Sequence, residues 1–383
     1  MLLSILLSVV TSPRDVIQVN SPASLRSAFV NAEPGTKISI APGEYGSNYF
    51  VGNLKGEPGK EIIIEGDPKN PPTFSGGSQA IQFSKISHVQ ISNLKVSNMS
   101  GNGINIDDGG GTGPVTSTHH LTLKNIEISN IASGNHDGIK LSGVDDFTVT
   151  GCKISRWGGQ GIDMVGCHRG LIVDCEFRNG EDSGVQAKGG SSQIRIQNCY
   201  FDKSGQRAVN LGGSTGLQFF RPSLDRMEAN GKYEARDLRV EGCTFKGSTA
   251  PIAFVGVDIA RVNRNTFIYP DKWIFRILQE TNQPGFVPCR KGTFENNLIM
   301  FSASKWSAGG VNIGPNTDPN SFVFKGNFWY CNDSPGASKP ALPVQETEGT
   351  YGVDPLILEQ ADGRFTPRGG SPAAKVGAHS FKR

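Results

Sequence analysis

Long apolar runs, a strong charge imbalance and paired cysteines of the metal-binding kind are all missing from this 383-residue chain. No apolar stretch approaches the roughly 20 residues that a membrane-crossing helix needs, so no membrane span is expected. The formal net charge is only +3, and nucleic acid is therefore not expected as a partner. None of the seven cysteines belongs to a Cys-x-x-Cys pair, which argues against a zinc or thiol-redox centre. Charged residues are 19% of the chain and aromatics 8%, a balance that suits neither coiled coil nor disorder.

What the chain does have is glycine, 49 residues of it, and repetition. The units are His136-Asp137-Gly138-Ile139-Lys140-Leu141, Gln160-Gly161-Ile162-Asp163-Met164, Ser183-Gly184-Val185-Gln186-Ala187-Lys188 and Arg207-Ala208-Val209-Asn210-Leu211. Ile139, Ile162, Val185 and Val209 follow one another at steps of 23, 23 and 24 residues, the mark of a solenoid. In each unit an apolar, polar, apolar triplet points one polar side chain outward, because side chains alternate along a strand. Second strands are expected between these triplets at Phe147 to Ile154, Leu171 to Phe177, Ile194 to Phe201 and Leu238 to Phe245. Such short strands with Gly-rich turns predict an all-β fold, a single-stranded right-handed parallel β-helix, with coils about 4.7 to 4.9 Å apart.

Cys152, Cys175, Cys199 and Cys243 recur at the same place in the second strands, in the segments GCKI, DCEF, NCYF and GCTF. That recurrence predicts an interior ladder of apolar thiols, which Asn265, Asn297 and Asn327 continue. A solenoid grows by adding coils, so residues 13–383 are expected to form one domain. Met1 to Ser12 has the length of a signal h-region, from which we expect export, to the periplasm or outside the cell. Ser21 to Phe29, with a capping Ser and an early Pro, predicts a short helix over the first coil. The insertion at 212–237 is expected beside the outward face. Residues 350–383, with YGVDPLILEQADGRFTPRGGSPAAKVGA, resemble the closing segment of many secreted β-helix proteins, which implies that they close the solenoid. The protein is expected to be a monomer.

The outward column reads Asn105, Lys140, Asp163, Gln186, Asn210, Ala253, Arg276 and Asn312, with Asp107 and Lys188 two residues further along their strands. His136, Asp137, Gln160, Asp182 and Arg207 lie just before the strands. A stripe of amides and charges of both signs suits successive sugar rings, and an acidic polysaccharide is the expected partner. Cleavage of a uronate polymer by β-elimination asks for a cation on the carboxylate, a base for the adjacent proton and a donor for the leaving oxygen. Lys188 serves as base if Arg207 stands close enough to disfavour its proton. Arg207 or Arg276 can hold the carboxylate, Tyr233 or His136 can supply the acid, and Arg221, before Pro222, can act as a loop clamp. Asp137, Lys140, Gln186, Asn210 and Asn105 complete the expected binding surface. Glycoside hydrolysis by Asp137, Asp163 and Asp182 is the competing chemistry, and a groove that binds sugar without turnover is a third.

The run AEPGTKISIAPGEYGSNYF, then GEPGKEIIIEG, then HVQISNLKVSN resembles the opening of the chondroitinase B and alginate lyase group of polysaccharide lyases. The resemblance implies a β-helix, a lyase activity and an S-K-S segment beside an F-R-H-G segment, with acidic calcium ligands just before the Lys. Ala187-Lys188-Gly189 stands where the first segment belongs, preceded by Glu181 and Asp182, so calcium held by Asp163, Glu181 and Asp182 is implied. At the second segment the chain has Asn210-Leu211-Gly212-Gly213 and departs from the pattern. The NHDG segment at 135–138 resembles the NTD segment of polygalacturonases, without their other signatures.

Overall fold

A computed structural model of the chain describes residues 15–111, 113, 116–227 and 231–382. Met1 to Ser12, where the export leader is expected, lies outside the described residues. The described chain winds into three parallel sheets of twelve, eleven and ten strands. One coil contributes one strand to each: Gln160–Val165 to the ten-stranded sheet, His168–Val173 to the twelve-stranded one and Glu176–Gly180 to the eleven-stranded one. The result is a right-handed parallel β-helix, as the repeat predicts. Among the described residues no helix is long and apolar enough to cross a membrane.

Each expected second strand is in fact two. Residues Phe147 to Ile154 divide between Val144–Thr150 and Lys153–Ser155, which belong to different sheets. The corner is Gly151 with φ +64, and the equivalent corners Asp174, Asn198 and Gly242 have φ 56, 51 and 66. This left-handed conformation is open mainly to Gly, Asn and Asp, and those residues fill the place immediately before each ladder Cys. A single apolar run thus turns through a corner without losing its inward pattern.

Inside, the ladders follow the coil pitch. The rings of Phe177, Phe201, Phe245 and Phe267 stack with centroids 4.8, 4.7 and 4.8 Å apart, the spacing of neighbouring strands. All seven cysteines are buried free thiols. From Cys243 onward the same column becomes polar: Asn265 Oδ1 accepts from Cys243 N, Asn297 Oδ1 from Asn265 N and Asn327 Oδ1 from Asn297 N, each at 2.9 Å. Each amide satisfies a buried backbone N–H that the turn leaves unpaired.

The helix Pro22–Asn31 begins in a capping box between Ser21 and Ser24 and buries Leu25, Ala28 and Phe29 over the first coils. At the other end Thr350–Tyr351 pairs with Phe328–Cys331, but the rest of the closing segment turns back along the outside. Arg364 donates to Asn198 O at 3.2 Å, Lys246 pairs with Glu359 at 2.6 Å and Arg264 donates to Lys375 O at 2.8 Å. The tail therefore straps earlier coils rather than simply covering the last one.

Candidate functional site

The outward column lies in register along the ten-stranded sheet. Gln82, Asn105, Lys140, Asp163, Gln186, Asn210, Ala253, Arg276 and Asn312 face one another in successive strands. Residues up to 43 apart in sequence become neighbours one strand spacing apart, as with Val209 and Ile252.

At the centre stands Asp163, 1% exposed. Lys140 Nζ lies 2.6 Å from Asp163 Oδ2 and 3.1 Å from Asp137 Oδ2, and Asp137 is equally buried. Burial opposes the charge on Lys140, but Asp163 and Asp137 outweigh it and hold its pKa above the ordinary lysine value. Burial and then the charge of Asp163 push the Asp137 carboxyl up, against the pull of Lys140. Lys188 Nζ is held more loosely, 3.5 Å from Asp163 Oδ1 and 3.3 Å from Gln186 Oε1. Asp163 Oδ1, Gln160 Oε1 and Asn210 Oδ1 are buried acceptors that receive no hydrogen bond among the described residues.

The inserted segment forms one edge of this wall. It leaves the sheet after Arg207–Gly212, where Gly212 has φ +106 and a Cβ would stand 1.8 Å from Val255 O. Gly212-Gly213-Ser214-Thr215-Gly216 spells a nucleophile-elbow pattern, but it leads into an extended loop and a short 3-10 turn at Leu217–Phe219 rather than a helix. The segment then runs back along the strand ends. Arg221 N donates to Gly189 O at 3.0 Å, and the guanidinium grips Asp108 with two bonds of 2.6 and 2.9 Å. Glu234, fully buried, accepts from Gly189 N, Thr215 N and Thr215 Oγ1 at 2.9, 3.0 and 2.8 Å and also from Thr281 Oγ1. Arg221 thus clamps the segment onto Asp108, Glu234 holds it separately through Gly189, Thr215 and Thr281, and neither acid carried a signal in the repeat.

Other expected site residues fall elsewhere. Tyr233, proposed as acid, packs its ring under the Arg236 guanidinium at 4.5 Å, at the entrance to the twelve-stranded sheet. Arg207 pairs with Glu280 at 2.8 Å, while Lys188 has Asp163 as its ion partner at 3.5 Å. His136 is half-buried in the turn before Ile139–Ser142. Arg276 donates to Asn312 Oδ1 at 2.9 Å and lies over Trp273, with no carboxylate in ion-pair reach among the described residues. Burial and then Arg207 lower its pKa from the usual arginine value.

The implied calcium shell does not assemble. Glu181 accepts from Ser133 Oγ at 2.6 Å, Asp182 accepts from Gln160 Nε2 at 2.9 Å, and Asp163 faces the two lysines. Asp163 lies on the strand one coil before the turn that carries the adjacent Glu181 and Asp182, each has its own partner, and the three are not among the metal-type side chains that converge in the described residues. A concavity of about 670 Å³ lies on another face, the outside of the twelve-stranded sheet, between Arg169, Arg195 and Arg239. Arg195, Arg239 and Arg261 align there in one column. It holds no pair of carboxylates on one lysine, the feature that marks out the ten-stranded wall.

Residues 79–267 match the family model described as "Right handed beta helix region". Among curated proteins no sequence matches this chain. Among solved structures, an alginate lyase from Paenibacillus sp. str. FPU-7 is similar at 15% identity and TM-score 0.55, over 79% of this chain and 97% of that one. A rhamnogalacturonan lyase is similar at 11% identity and TM-score 0.57, over 95% and 100% of the two chains. A GH136 lacto-N-biosidase from Eubacterium ramulus is similar at 12% identity and TM-score 0.52, over 88% and 68%. This chain has the right-handed parallel β-helix fold that polysaccharide lyases use.

Proposed function

We propose that the ten-stranded wall binds an acidic polysaccharide and cleaves it by β-elimination. The observation that carries this is the pair of under-compensated basic side chains on one outward face: Arg276, with no carboxylate, and Lys188, with one at 3.5 Å. They stand three coils apart, about 14 Å, so they would meet different sugars of one polymer. Arg276 binds a sugar carboxylate away from the cut. The neutral amine of Lys188, loosely held and partly exposed, takes the proton beside a second carboxylate. The bond from the next carbon to the leaving oxygen breaks as the double bond forms, and the ammonium so made returns the proton to that oxygen. Lys140 meanwhile stays charged between its two aspartates and supplies positive potential. The solved relatives that are lyases support this choice, and export to the periplasm or beyond fits a polymeric substrate.

A second reading, retaining glycoside hydrolysis, is favoured by one feature. Asp137 and Asp163 share a single ammonium, which puts them closer than the about 6.5 to 9.5 Å that inversion requires. The raised Asp137 carboxyl would be the acid.

The deciding experiment incubates purified protein with alginate, polygalacturonate and chondroitin, with and without a chelator. Ultraviolet-absorbing unsaturated ends that vanish in Lys188→Ala support elimination. Reducing ends without that absorbance select hydrolysis, and full lyase activity in Lys188→Ala removes Lys188 as the base.

A further inference from the structure

We propose that His88, His119 and His120 form a binding site for one divalent transition-metal ion of the zinc class. The site lies on the twelve-stranded sheet, away from the sugar wall. His88 belongs to the strand Ser87–Ser92 and the other two to its neighbour Thr118–Lys124, with His119 in register with Ser87. The three rings meet as a cluster: His88 stacks on His120 with centroids 4.5 Å apart, and His119 stands edge-on to both at 5.4 and 5.0 Å.

One ligand nitrogen from each ring lies within 4.8 Å of the others, and among the described residues this is the one set of three metal-type side chains that converges so. His119 Nδ1 and His120 Nδ1 are 2.8 Å apart. Zinc, at about 2.0 to 2.1 Å from each nitrogen, would hold two donors about 2.9 to 3.4 Å apart. Two of the three are therefore already near chelating distance, and rotation of one imidazole brings in the third.

The donor set fixes the class of ion. Three imidazoles with no carboxylate among them suit zinc, copper or nickel and are poor ligands for calcium or magnesium, which take oxygen. Asp146, on the next strand, is held by Arg169 at 2.7 Å and Asp145 by the same guanidinium at 2.9 Å, and Glu61, whose charge acts on His88, accepts from Gly59 N at 2.9 Å. His120 is exposed and the other two half-buried, which gives a hydrated ion a path in and leaves coordination positions open. The ion would tie two successive coils together across the Gly-rich excursion that separates them, and binding to the folded chain alone would raise its thermal midpoint.

Titration calorimetry with Zn2+ on the metal-stripped full chain tests this. One Zn2+ per chain is expected, with Kd below about 10 μM, an unmoved Ca2+ baseline and a raised Tm. His120→Ala, a change at an exposed position, should weaken Zn2+ binding at least about tenfold with the circular dichroism spectrum unchanged. Loading with Co2+ should give visible absorption bands that disappear in the same variant. Unaltered Zn2+ affinity in the His88→Ala/His119→Ala/His120→Ala variant, or Ca2+ bound as tightly as Zn2+, would overturn the site.

Discussion

Arg221 and Asp108 stand 113 residues apart in sequence and are joined by two hydrogen bonds of 2.6 and 2.9 Å. Asp108 is 3% and Arg221 15% exposed in the side chain, so the pair is largely screened from water. Removing one partner strands the other, a loss of about 3 to 5 kcal/mol for a fully buried pair. We expect Asp108→Ala to cost about 3 kcal/mol in urea unfolding and to open residues 213–227 to protease. Arg221→Ala should cost a similar amount, and the double variant little more than either single one.

Lys140 makes a sharper case because two buried carboxylates depend on it. Lys140→Met leaves buried Asp137 with no ion partner and Asp163 with only Lys188 at 3.5 Å, and we expect a loss of about 3 to 5 kcal/mol. Adding Asp163→Asn should recover part of it, since one charge then disappears. Lys188→Met, whose contacts are 3.3 and 3.5 Å, should cost under about 1 kcal/mol. Equal losses in the two lysine variants would contradict the assignment of Lys140 as the structural cation.

Much of this was legible in the sequence, for a physical reason. Coil pitch forces in-register stacking, so aligning Ile139, Ile162, Val185 and Val209 placed Lys140, Asp163, Gln186 and Asn210 in one column before any coordinates. The Cys-to-Asn ladder was legible on the same ground. The corner at Gly151 was missed because a left-handed residue turns the chain without breaking its apolar alternation. What repetition does not encode is contact between coils and insertions: Arg207 with Glu280, Arg221 with Asp108 and Tyr233 with Arg236 all depend on where loops travel.

The amide ladder should be less replaceable than the thiol ladder. Asn297 accepts from Asn265 N and Nδ2 at 2.9 and 3.1 Å and donates to Val262 O and Asn327 Oδ1 at 3.1 and 2.9 Å. Asn297→Ala leaves buried backbone and amide groups unpaired, at about 1 to 3 kcal/mol for each group. Cys175→Ala removes a small apolar side chain and should cost about 1 kcal/mol. Chemical denaturation of the two variants, read by midpoint at unchanged slope, separates them.

Asp258 predicts a pH effect. Burial alone would push its carboxyl up, but Arg290 and Arg236 outweigh that and hold it below the ordinary value of 3.8. A depressed folded pKa adds stability above the unfolded value, which is lost as pH falls through the folded one. Wild type should therefore exceed Asp258→Asn by a constant margin above about pH 5, with the margin shrinking below about pH 4. A margin independent of pH down to acid unfolding would show that the carboxylate charge is not what the two arginines hold.

Arg276 separates binding from folding. Its guanidinium is half-buried over Trp273, accompanied by Arg207 and without a carboxylate of its own, so the folded protein holds it at some cost. Arg276→Ala should leave stability unchanged or slightly raised, whereas Arg207→Ala should lower it by freeing Glu280. On an acidic oligosaccharide long enough to span three coils, the loss of one carboxylate contact at Arg276 should raise KM about tenfold with kcat little altered, because that contact lies away from the scissile bond. The difference should fade in high salt and vanish on acidic oligosaccharides too short to reach Arg276. A fall in kcat with KM unchanged would place Arg276 at the reacting centre and move the cut three coils along the wall.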